Sequence, residues 1–256
     1  MHHTRLNSLP ANLPAGTPVF PSLEMASAWR ELEYLALPSR ARCDFASTAD
    51  REVGYLLLEG TVALAGSDLE TSLAGPAVLL CGVGWQHTLA NAGATPARLL
   101  RLGADLQGGS QKARALLAEP VNPGRLKWRP AIHGGTGQIA TRHIWGPEDF
   151  CSPWVFLDHA VLAPGSSLGY HYHDALEECF VILGGHGHLT LDDQTFAVEP
   201  GSVTWQGIGQ PHGLHNHAGE PLDFLRVAMG IRGEEYTTVD LHDDLCKRLP
   251  KEVQWT

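Results

Sequence analysis

The sequence contains little positive charge and no long apolar segment. Its 18 Lys and Arg residues are outnumbered by 28 Asp and Glu residues, the formal net charge is −10, and the basic residues form no cluster. Because an acidic chain repels phosphate backbones, nucleic acid is not an expected partner. No apolar run approaches the roughly 18 residues of a membrane-spanning helix. The opening Met1-His2-His3-Thr4-Arg5 lacks the apolar core of a signal peptide. These features predict a cytoplasmic protein without a membrane partner.

Cysteine is scarce, and several catalytic signatures are missing. The five Cys residues are odd in number and not closely paired, which favours reduced thiols over a disulfide framework. No nucleophilic triad or phosphate-cradling loop stands out, and Gly82-x-Gly84 lacks the third glycine of a dinucleotide fingerprint. These absences argue against nucleotide-dependent and triad-based enzymes.

Glycine and proline, by contrast, are abundant, with 28 and 17 residues. They separate short apolar runs of strand length, such as Tyr55-Leu56-Leu57-Leu58 and Phe180-Val181-Ile182-Leu183. Leu189-Thr190-Leu191 is followed by Asp192-Asp193, which is the pattern of a strand entering a turn. Many short strands divided by turn residues predict an all-β chain of the barrel or sandwich type.

The chain repeats itself at an offset of 125 residues. Residues 82–91 and 207–216 share the pattern Gly-x-Gly-x-x-His-x-x-x-Asn, and the same offset pairs Leu100-Arg101 with Leu225-Arg226. A gapless offset of this kind indicates two copies of one domain. We expect a first barrel at 20–107, a linker at 108–127 with a short helix over 111–119, and a second barrel at 128–232. The tail at 233–256 is expected to strap onto the barrel, with one short helical turn around 241–249.

Histidine is distributed unevenly between the copies. Eleven of the 14 His residues lie at or beyond residue 128, and the second copy contains His171-Tyr172-His173, then Glu178, then His212. His171 and His173 point to the same face of a strand because they are two residues apart. Three imidazoles and one carboxylate suit one divalent transition metal such as Fe, Mn, Ni, Cu or Zn. In octahedral coordination, four protein ligands would leave about two positions for water, oxygen or substrate.

These residues resemble the two motifs of the cupin superfamily. Pro164-Gly165 followed by His171-x-His173-x4-Glu178-x6-Gly185 is similar to the first motif. Gly201-x5-Gly207-x-Gly209-x-x-His212-x-x-x-Asn216 is similar to the second, with Gly207 where proline is usual. The resemblance implies a bicupin, that is, two tandem cupin-type β-barrels of the double-stranded β-helix or jelly-roll kind. It also implies metal binding inside the second barrel by His171, His173, Glu178 and His212.

The first copy departs from this motif at three of the four ligand positions. The offset places Ala46, Thr48 and Val53 opposite His171, His173 and Glu178, and no histidine lies between His3 and His87. We therefore expect His87 to be structural and the first barrel to be a scaffold or the partner in a homodimer.

Other polar residues near the predicted site have simpler interpretations. Arg226 could bind a substrate carboxylate, but Arg101 stands at the same place in the metal-free copy, which favours a structural ion pair. Glu177 points away from the ligands and is expected to be solvated. His186 and His188 are expected to face away from the barrel interior, and His215 and His217 to lie at the surface or behind the ligands.

Because cupin folds serve many reactions, the site limits the function without fixing it. The leading hypothesis is a mononuclear metal-dependent dioxygenase-type oxidoreductase acting on a small polar metabolite. Glu178 is its candidate catalytic residue, since it is the only anionic ligand. One alternative is a redox-neutral isomerase, decarboxylase or hydrolase, in which the metal polarises the substrate. The other is a small-molecule-binding protein without turnover.

Overall fold

A computed structural model describes residues 2–10, 16–46, 48–66, 69–108 and 116–248. These residues form β-strands connected by turns, with three short 3-10 helices at Leu6–Ser8, Pro123–Arg125 and Leu245–Lys247. The predicted all-β class is confirmed. No helix in the described ranges is long and apolar enough to cross a membrane.

The strands are numbered in chain order. The first eleven are β1 (His3–Arg5), β2 (Thr17–Pro18), β3 (Trp29–Leu37), β4 (Arg42–Ala46), β5 (Arg51–Glu59), β6 (Thr61–Gly66), β7 (Glu70–Ala74), β8 (Ala77–Cys81), β9 (Gln86–Asn91), β10 (Ala97–Asp105) and β11 (Leu116–Pro120). The others are β12 (Lys127–Pro130), β13 (Gln138–Trp145), β14 (Trp154–Leu162), β15 (Ser167–His173), β16 (Leu176–Gly184), β17 (Gly187–Leu191), β18 (Gln194–Val198), β19 (Ser202–Gln206), β20 (His212–His215), β21 (Leu222–Gly230) and β22 (Thr238–Asp240).

The chain divides into two compact units. The first unit comprises Leu6–Val121 and Glu148–Pro153, and the second comprises Met1–Arg5, Asn122–Pro147 and Trp154–Thr256. In each unit the strands of one copy supply two antiparallel sheets, so the division follows the internal repeat. The exceptions are Met1–Arg5, which belongs to the second unit, and Glu148–Pro153, which belongs to the first.

The first unit pairs a six-stranded sheet with a four-stranded one. Their orders are β11-β8-β5-β10-β3-β2 and β4-β9-β6-β7. Apolar side chains from both sheets form one core, to which Leu35, Tyr55, Leu64 and Leu89 belong. Leu64 and Leu89 alternate with more exposed residues along β6 and β9, as expected for strands with one buried face. Residues 52–57 of β5, which include Tyr55, are all buried.

The second unit repeats this arrangement. Its sheets have the orders β1-β19-β16-β21-β14-β13-β12 and β18-β17-β20-β15-β22. The central runs β19-β16-β21-β14 and β18-β17-β20-β15 match β8-β5-β10-β3 and β7-β6-β9-β4 of the first unit. Its core contains Phe180, Leu189 and Leu214, which stand 125 positions after Tyr55, Leu64 and Leu89. The predicted tandem jelly-roll barrels are confirmed.

The linker differs from its prediction. Residues 111–115 lie outside the described residues, and Leu116–Pro120 forms strand β11 instead of the end of a helix. β11 pairs antiparallel with β8 along its whole length. Without β11, the backbone N–H and C=O groups on that side of β8 would lack these partners. This pairing outweighs the helix propensity on which the prediction depended.

The tail straps onto the second barrel as expected. Strand β22 pairs with β15, and Leu245 is buried in the short helix Leu245–Lys247, within the predicted turn. A Cβ atom at Gly213 would lie 2.7 Å from Leu245 Cδ1, so glycine is what allows the tail to approach β20. The tail therefore covers the outer side of the five-stranded sheet.

Glu52 is a buried carboxylate that holds the segment Glu148–Pro153 within the first unit. It accepts hydrogen bonds from the backbone N–H groups of Cys151 and Ser152 and from the Ser152 hydroxyl. Glu52→Gln turns an NH2 group towards these donors, and we expect the free energy of unfolding to fall by about 2–3 kcal/mol. Denaturant unfolding measures this loss. The control is Glu59→Gln, an exposed carboxylate on the same strand, and an equal effect of both variants would contradict the prediction.

Candidate metal centre

Three neighbouring strands bring the four predicted ligands together inside the second barrel. His171 and His173 lie on β15, Glu178 lies on β16, and His212 begins β20, where it is the cross-strand partner of His171. All four side chains are buried, and one ligand atom of each lies within 4.8 Å of the others. The structure thus assembles the complete set that the motif spacing predicted.

Each of the three imidazoles has a hydrogen-bond partner at Nδ1, which turns its Nε2 towards the centre. His171 Nδ1 donates to the Gly169 carbonyl at 2.7 Å, and His212 Nδ1 donates to the Gln210 carbonyl at 2.9 Å. His173 Nδ1 lies 3.0 Å from the Thr238 hydroxyl oxygen. Because a carbonyl oxygen can only accept, His171 and His212 carry a proton on Nδ1 and turn Nε2 inward.

The inward Nε2 atoms face a carboxylate, and either a proton on Nε2 or a metal ion must lie between atoms this close. Glu178 Oε2 lies 3.0 Å from His212 Nε2 and 3.3 Å from His173 Nε2. Among the described residues, His171 Nε2 and Glu178 Oε1 are buried without a hydrogen-bond partner. A buried polar atom without a partner is costly unless something binds it. A metal ion satisfies all of these atoms at once.

The charges of the cluster also suit a cation. Burial first, and then His212 and His133, lower the pKa of His171 far below its ordinary value, so this imidazole is neutral. Burial alone would raise the pKa of Glu178. Without a metal ion, a proton on Nε2 of His173 or His212 donates to the carboxylate, and these hydrogen bonds outweigh burial and hold that pKa well below normal. Three nitrogens and one anionic oxygen form a donor set for a divalent transition metal.

Polar residues that the motif does not contain lie beside the cluster. In the sheet register, Gln206 is opposite Glu178, and Arg226 is opposite Phe180, the next residue on the same face of β16. Gln206 Oε1 and Arg226 Nε are buried and have no hydrogen-bond partner among the described residues. Phe156, Leu176 and Ala228 form a small apolar cluster on this side. The wall next to the ligands therefore offers one donor and one acceptor in an apolar setting.

Arg226 makes the ion pair that was predicted for it. Its Nη2 lies 2.6 Å from Asp158 Oδ2, and the guanidinium carbon lies 5.1 Å from the centre of the Phe156 ring. The other oxygen of Asp158 is bonded to His143 Nδ1, and this hydrogen bond, together with the opposing effect of burial, leaves the pKa of His143 raised. The ion pair uses Nη2, and Nε has no partner among the described residues.

Three site neighbours lie far from the motif in sequence and were not predicted. The His133 ring stacks on that of His171 with centroids 4.1 Å apart, and burial, then the charge of Arg226, lower its pKa to about 4. From the tail, Tyr236 meets the His173 ring edge-on at 5.7 Å, and Thr238 contacts His173 Nδ1. The expected strap was the only sequence signal that could have pointed to the tail residues.

Thr238 is expected to tune metal affinity by orienting His173. Thr238→Val keeps the shape but removes the oxygen, so the imidazole loses its partner and affinity should fall roughly 10–100-fold. Competition with a chelator of known affinity measures this change, and Thr238→Ser should restore it. The control is Thr237→Val, since the Thr237 hydroxyl bonds Asp174 on the exposed side. Equal affinity of Thr238→Val and the native chain would contradict the assignment.

The orientations predicted for His188, His215 and Glu177 are correct, but the solvent exposure predicted for Glu177 is not. His188 and His215 face outward from β17 and β20, whose Leu189 and Leu214 enter the core. Glu177 points away from the ligands as expected, but it is buried, with a relative exposure of 2%, and is not solvated. The prediction of a solvated side chain was wrong because residues 176–182 of β16 are all buried, including those that face away from the ligands.

The first barrel has a different interior at the equivalent place. A cavity of about 100 Å³ is lined by residues that include Ala46, Thr48, Val53 and His87. His87 Nε2 bonds the Tyr55 hydroxyl at 2.8 Å, and its Nδ1 lies 3.3 Å from the Trp85 carbonyl. The structural role predicted for His87 is confirmed. In the part of the chain that the structure describes, only the second barrel groups metal-binding side chains.

Comparisons of sequence agree with the motif. A family model described as a cupin domain matches residues 158–228, which contain the four-residue cluster. The oxalate-binding protein of Thermotoga maritima is 28% identical over 96 residues, which cover 38% of this chain and 79% of that protein. The uncharacterized protein MJ1618 of Methanocaldococcus jannaschii is 35% identical over 84 residues, covering 33% and 67%.

Comparisons of structure extend over both barrels. The oxalate decarboxylase of Lactobacillus farciminis, solved as a formate complex, superposes with a TM-score of 0.63 at 13% identity and covers 94% of this chain and 88% of its own. AerE from Microcystis aeruginosa gives a TM-score of 0.57 at 13% identity, with 77% and 86% covered. At such identities the likeness concerns the fold.

Two jelly-roll barrels in tandem, with a His/His/Glu/His cluster in the second, define a metal-dependent bicupin. The chain belongs to the cupin superfamily, as its motifs predicted.

Proposed function

We propose that the second barrel is a catalytic site for a small carboxylate, and that the reaction is redox-neutral, of the decarboxylase or isomerase kind. The observation that carries this proposal is the position of Arg226 Nε, a buried donor with no partner among the described residues, beside the four-residue cluster. A guanidinium N–H without a partner is suited to donating to a carboxylate oxygen. The oxalate-binding relative and the oxalate decarboxylase neighbours support this substrate class.

Each residue has a distinct task in this proposal. His171, His173, Glu178 and His212 hold the metal, which when bound supplies Lewis-acid polarisation of the substrate. Arg226 Nε donates a hydrogen bond to the carboxylate, while Asp158 keeps the guanidinium in place. Gln206 Oε1 accepts a hydrogen bond from a substrate hydroxyl. Phe156 and Leu176 exclude water, which strengthens these polar contacts.

A dioxygenase-type oxidoreductase, the leading hypothesis from the sequence, is the second candidate. The donor set favours it to the extent that three nitrogens and one carboxylate suit a redox-active ion and leave about two positions open in octahedral coordination. In that case Glu178 is the residue with the largest effect, because its charge stabilises the more oxidised ion.

Activity assays with and without oxygen distinguish these candidates. Protein loaded separately with Mn, Fe, Co or Zn is supplied with a panel of small mono- and dicarboxylates. Turnover that continues without oxygen, with substrate loss matched by carbon dioxide or by an isomer, supports the redox-neutral proposal. Turnover that stops without oxygen and consumes it supports the dioxygenase. Saturable binding without any turnover would leave a binding protein and contradict both.

Arg226→Lys tests the carboxylate contact. Lysine keeps a positive charge beside Asp158 but lacks the planar fork, so KM should rise roughly 10–100-fold while metal content stays unchanged. The matched control is Arg101→Lys, since Arg101 holds the equivalent position of the first barrel. An unchanged KM in Arg226→Lys would exclude the contact.

The homodimer and the cytoplasmic location remain predictions.

A further inference from the structure

Three histidines and a cysteine lie near one another on the outer face of the five-stranded sheet. His188 on β17 and His215 on β20 are direct cross-strand partners, and both point away from the core. His217 follows two residues later, and its ring stacks on that of His188 with centroids 3.8 Å apart. The tail adds Cys246, the exposed cysteine of the chain, next to the buried Leu245. We call His188, His215, His217 and Cys246 the outer cluster.

The spacing of one pair in the outer cluster matches metal coordination. Cys246 Sγ lies 3.5 Å from His215 Nε2. With Zn–S near 2.3 Å and Zn–N near 2.0–2.1 Å, two ligands of a tetrahedral zinc ion stand about 3.5 Å apart. The ring centroids of His188 and His217 lie 6.5 Å and 6.4 Å from that of His215. The His188 and His217 rings therefore do not converge on one point with Cys246 and His215. A third nitrogen can reach the pair only if the exposed His217 side chain, or the half-buried His188 side chain, rotates.

The imidazoles of His188 and His215 are also in the state that binds metal. Burial first, and then His217 and His215, lower the pKa of His188 to about 4. Burial, followed by His217, lowers the pKa of His215. These nitrogens are therefore unprotonated at neutral pH, and crowding of like groups disfavours their protonation further.

We propose that the outer cluster is a second metal site, distinct from the interior centre. It prefers an ion that binds thiolate well, and zinc is the ion that we expect. A thiolate and two or three imidazoles are the softer donor set, whereas the interior centre has a carboxylate in place of sulfur. On binding, the Cys246 thiol releases its proton to solvent and the sulfur bonds the ion. The bound ion fixes the tail to β17 and β20, and so fixes the same tail that carries Thr238 to His173.

Alkylation of Cys246 by iodoacetamide in the full chain tests this site directly. The other four cysteines are buried, so the initial rate reports on Cys246. We expect added zinc to slow alkylation roughly tenfold or more, because a metal-bound thiolate is shielded. His215→Asn and His188→Asn should abolish most of this protection. His186→Asn is the matched control, since His186 bonds Glu220 outside the outer cluster, and it should keep the protection.

Metal content separates the two sites. Cys246→Ser should lose about one zinc per chain while keeping the interior ion, and His212→Ala should keep the zinc protection of Cys246. Unchanged alkylation in the presence of zinc would overturn the proposal. Protection that persists in His188→Asn and His215→Asn would also overturn it, because the thiol would then bind zinc without the cluster. These outcomes do not depend on whether the interior centre is catalytic.

Discussion

His212→Ala is expected to remove about one tightly bound metal ion per chain, whereas His87→Ala leaves the metal content unchanged. The two histidines occupy equivalent positions of the repeat, 125 residues apart. Each is buried and lies on the smaller sheet of its unit. His212 contributes one of four ligands, and a chelate that loses a ligand binds far more weakly. His87 has Tyr55 and Trp85 as partners, and it belongs to no group of metal ligands among the described residues. Elemental analysis after exhaustive dialysis measures both variants.

The pair of variants separates a metal effect from a folding effect. His87→Ala leaves the buried Tyr55 hydroxyl without its partner, at an expected cost of about 1–3 kcal/mol in the free energy of unfolding. His212→Ala should instead abolish the rise in melting temperature that added metal produces, because metal stabilises only the state that binds it. Retention of the ion by His212→Ala, or its loss from His87→Ala, would show that the metal is not where the geometry places it.

The four interior ligands could be predicted because two local rules decide their positions. The two-residue spacing of His171 and His173 places them on one face of a strand, and the repeated Gly-x-Gly turn places His212 at a strand start. The alternation of β17 likewise predicts that His188 points outward when Leu189 points inward. Where a side chain depends only on its own strand, the sequence was sufficient.

The remaining features depend on contacts that no local pattern encodes. Thr238 and Tyr236 reach His173 because β22 adds to the edge of β15, a pairing between segments 65 residues apart in the case of Thr238. Glu177 is buried because β16 lies between β19 and β21 and its residues 176–182 are all buried. Leu116–Pro120 is a strand because β8 offers it an edge. Each outcome is decided by tertiary pairing, which outweighs propensity and charge.

Glu178→Gln is expected to weaken metal binding roughly tenfold or more. Substitution of a residue that only supports a ligand already costs about 10–100-fold in affinity, and Glu178 is itself a ligand. The carboxamide keeps the volume but removes the one negative charge among the four ligands. Its NH2 group can donate to Nε2 of His173 or His212, which satisfies the lone pairs that otherwise require a cation. The variant should therefore fold well without metal, and its melting temperature should respond less to metal removal. Glu177→Gln, its neighbour on the opposite face, is the control and should keep native affinity.

The same variant distinguishes the two chemistries once it is fully loaded with metal. A neutral ligand leaves the site with one more positive charge. If the reaction is redox-neutral, this charge polarises a bound carboxylate at least as strongly, so activity per bound ion should be kept or raised. If the reaction uses oxygen, the missing carboxylate makes the ion harder to oxidise, and activity per ion should fall further than occupancy does. Activity per ion, measured with and without oxygen in Glu178→Gln and in Glu177→Gln, decides between them. A loss of activity per ion that is independent of oxygen and equal in both variants would contradict a direct role for Glu178, because the two side chains share a strand but only one faces the metal.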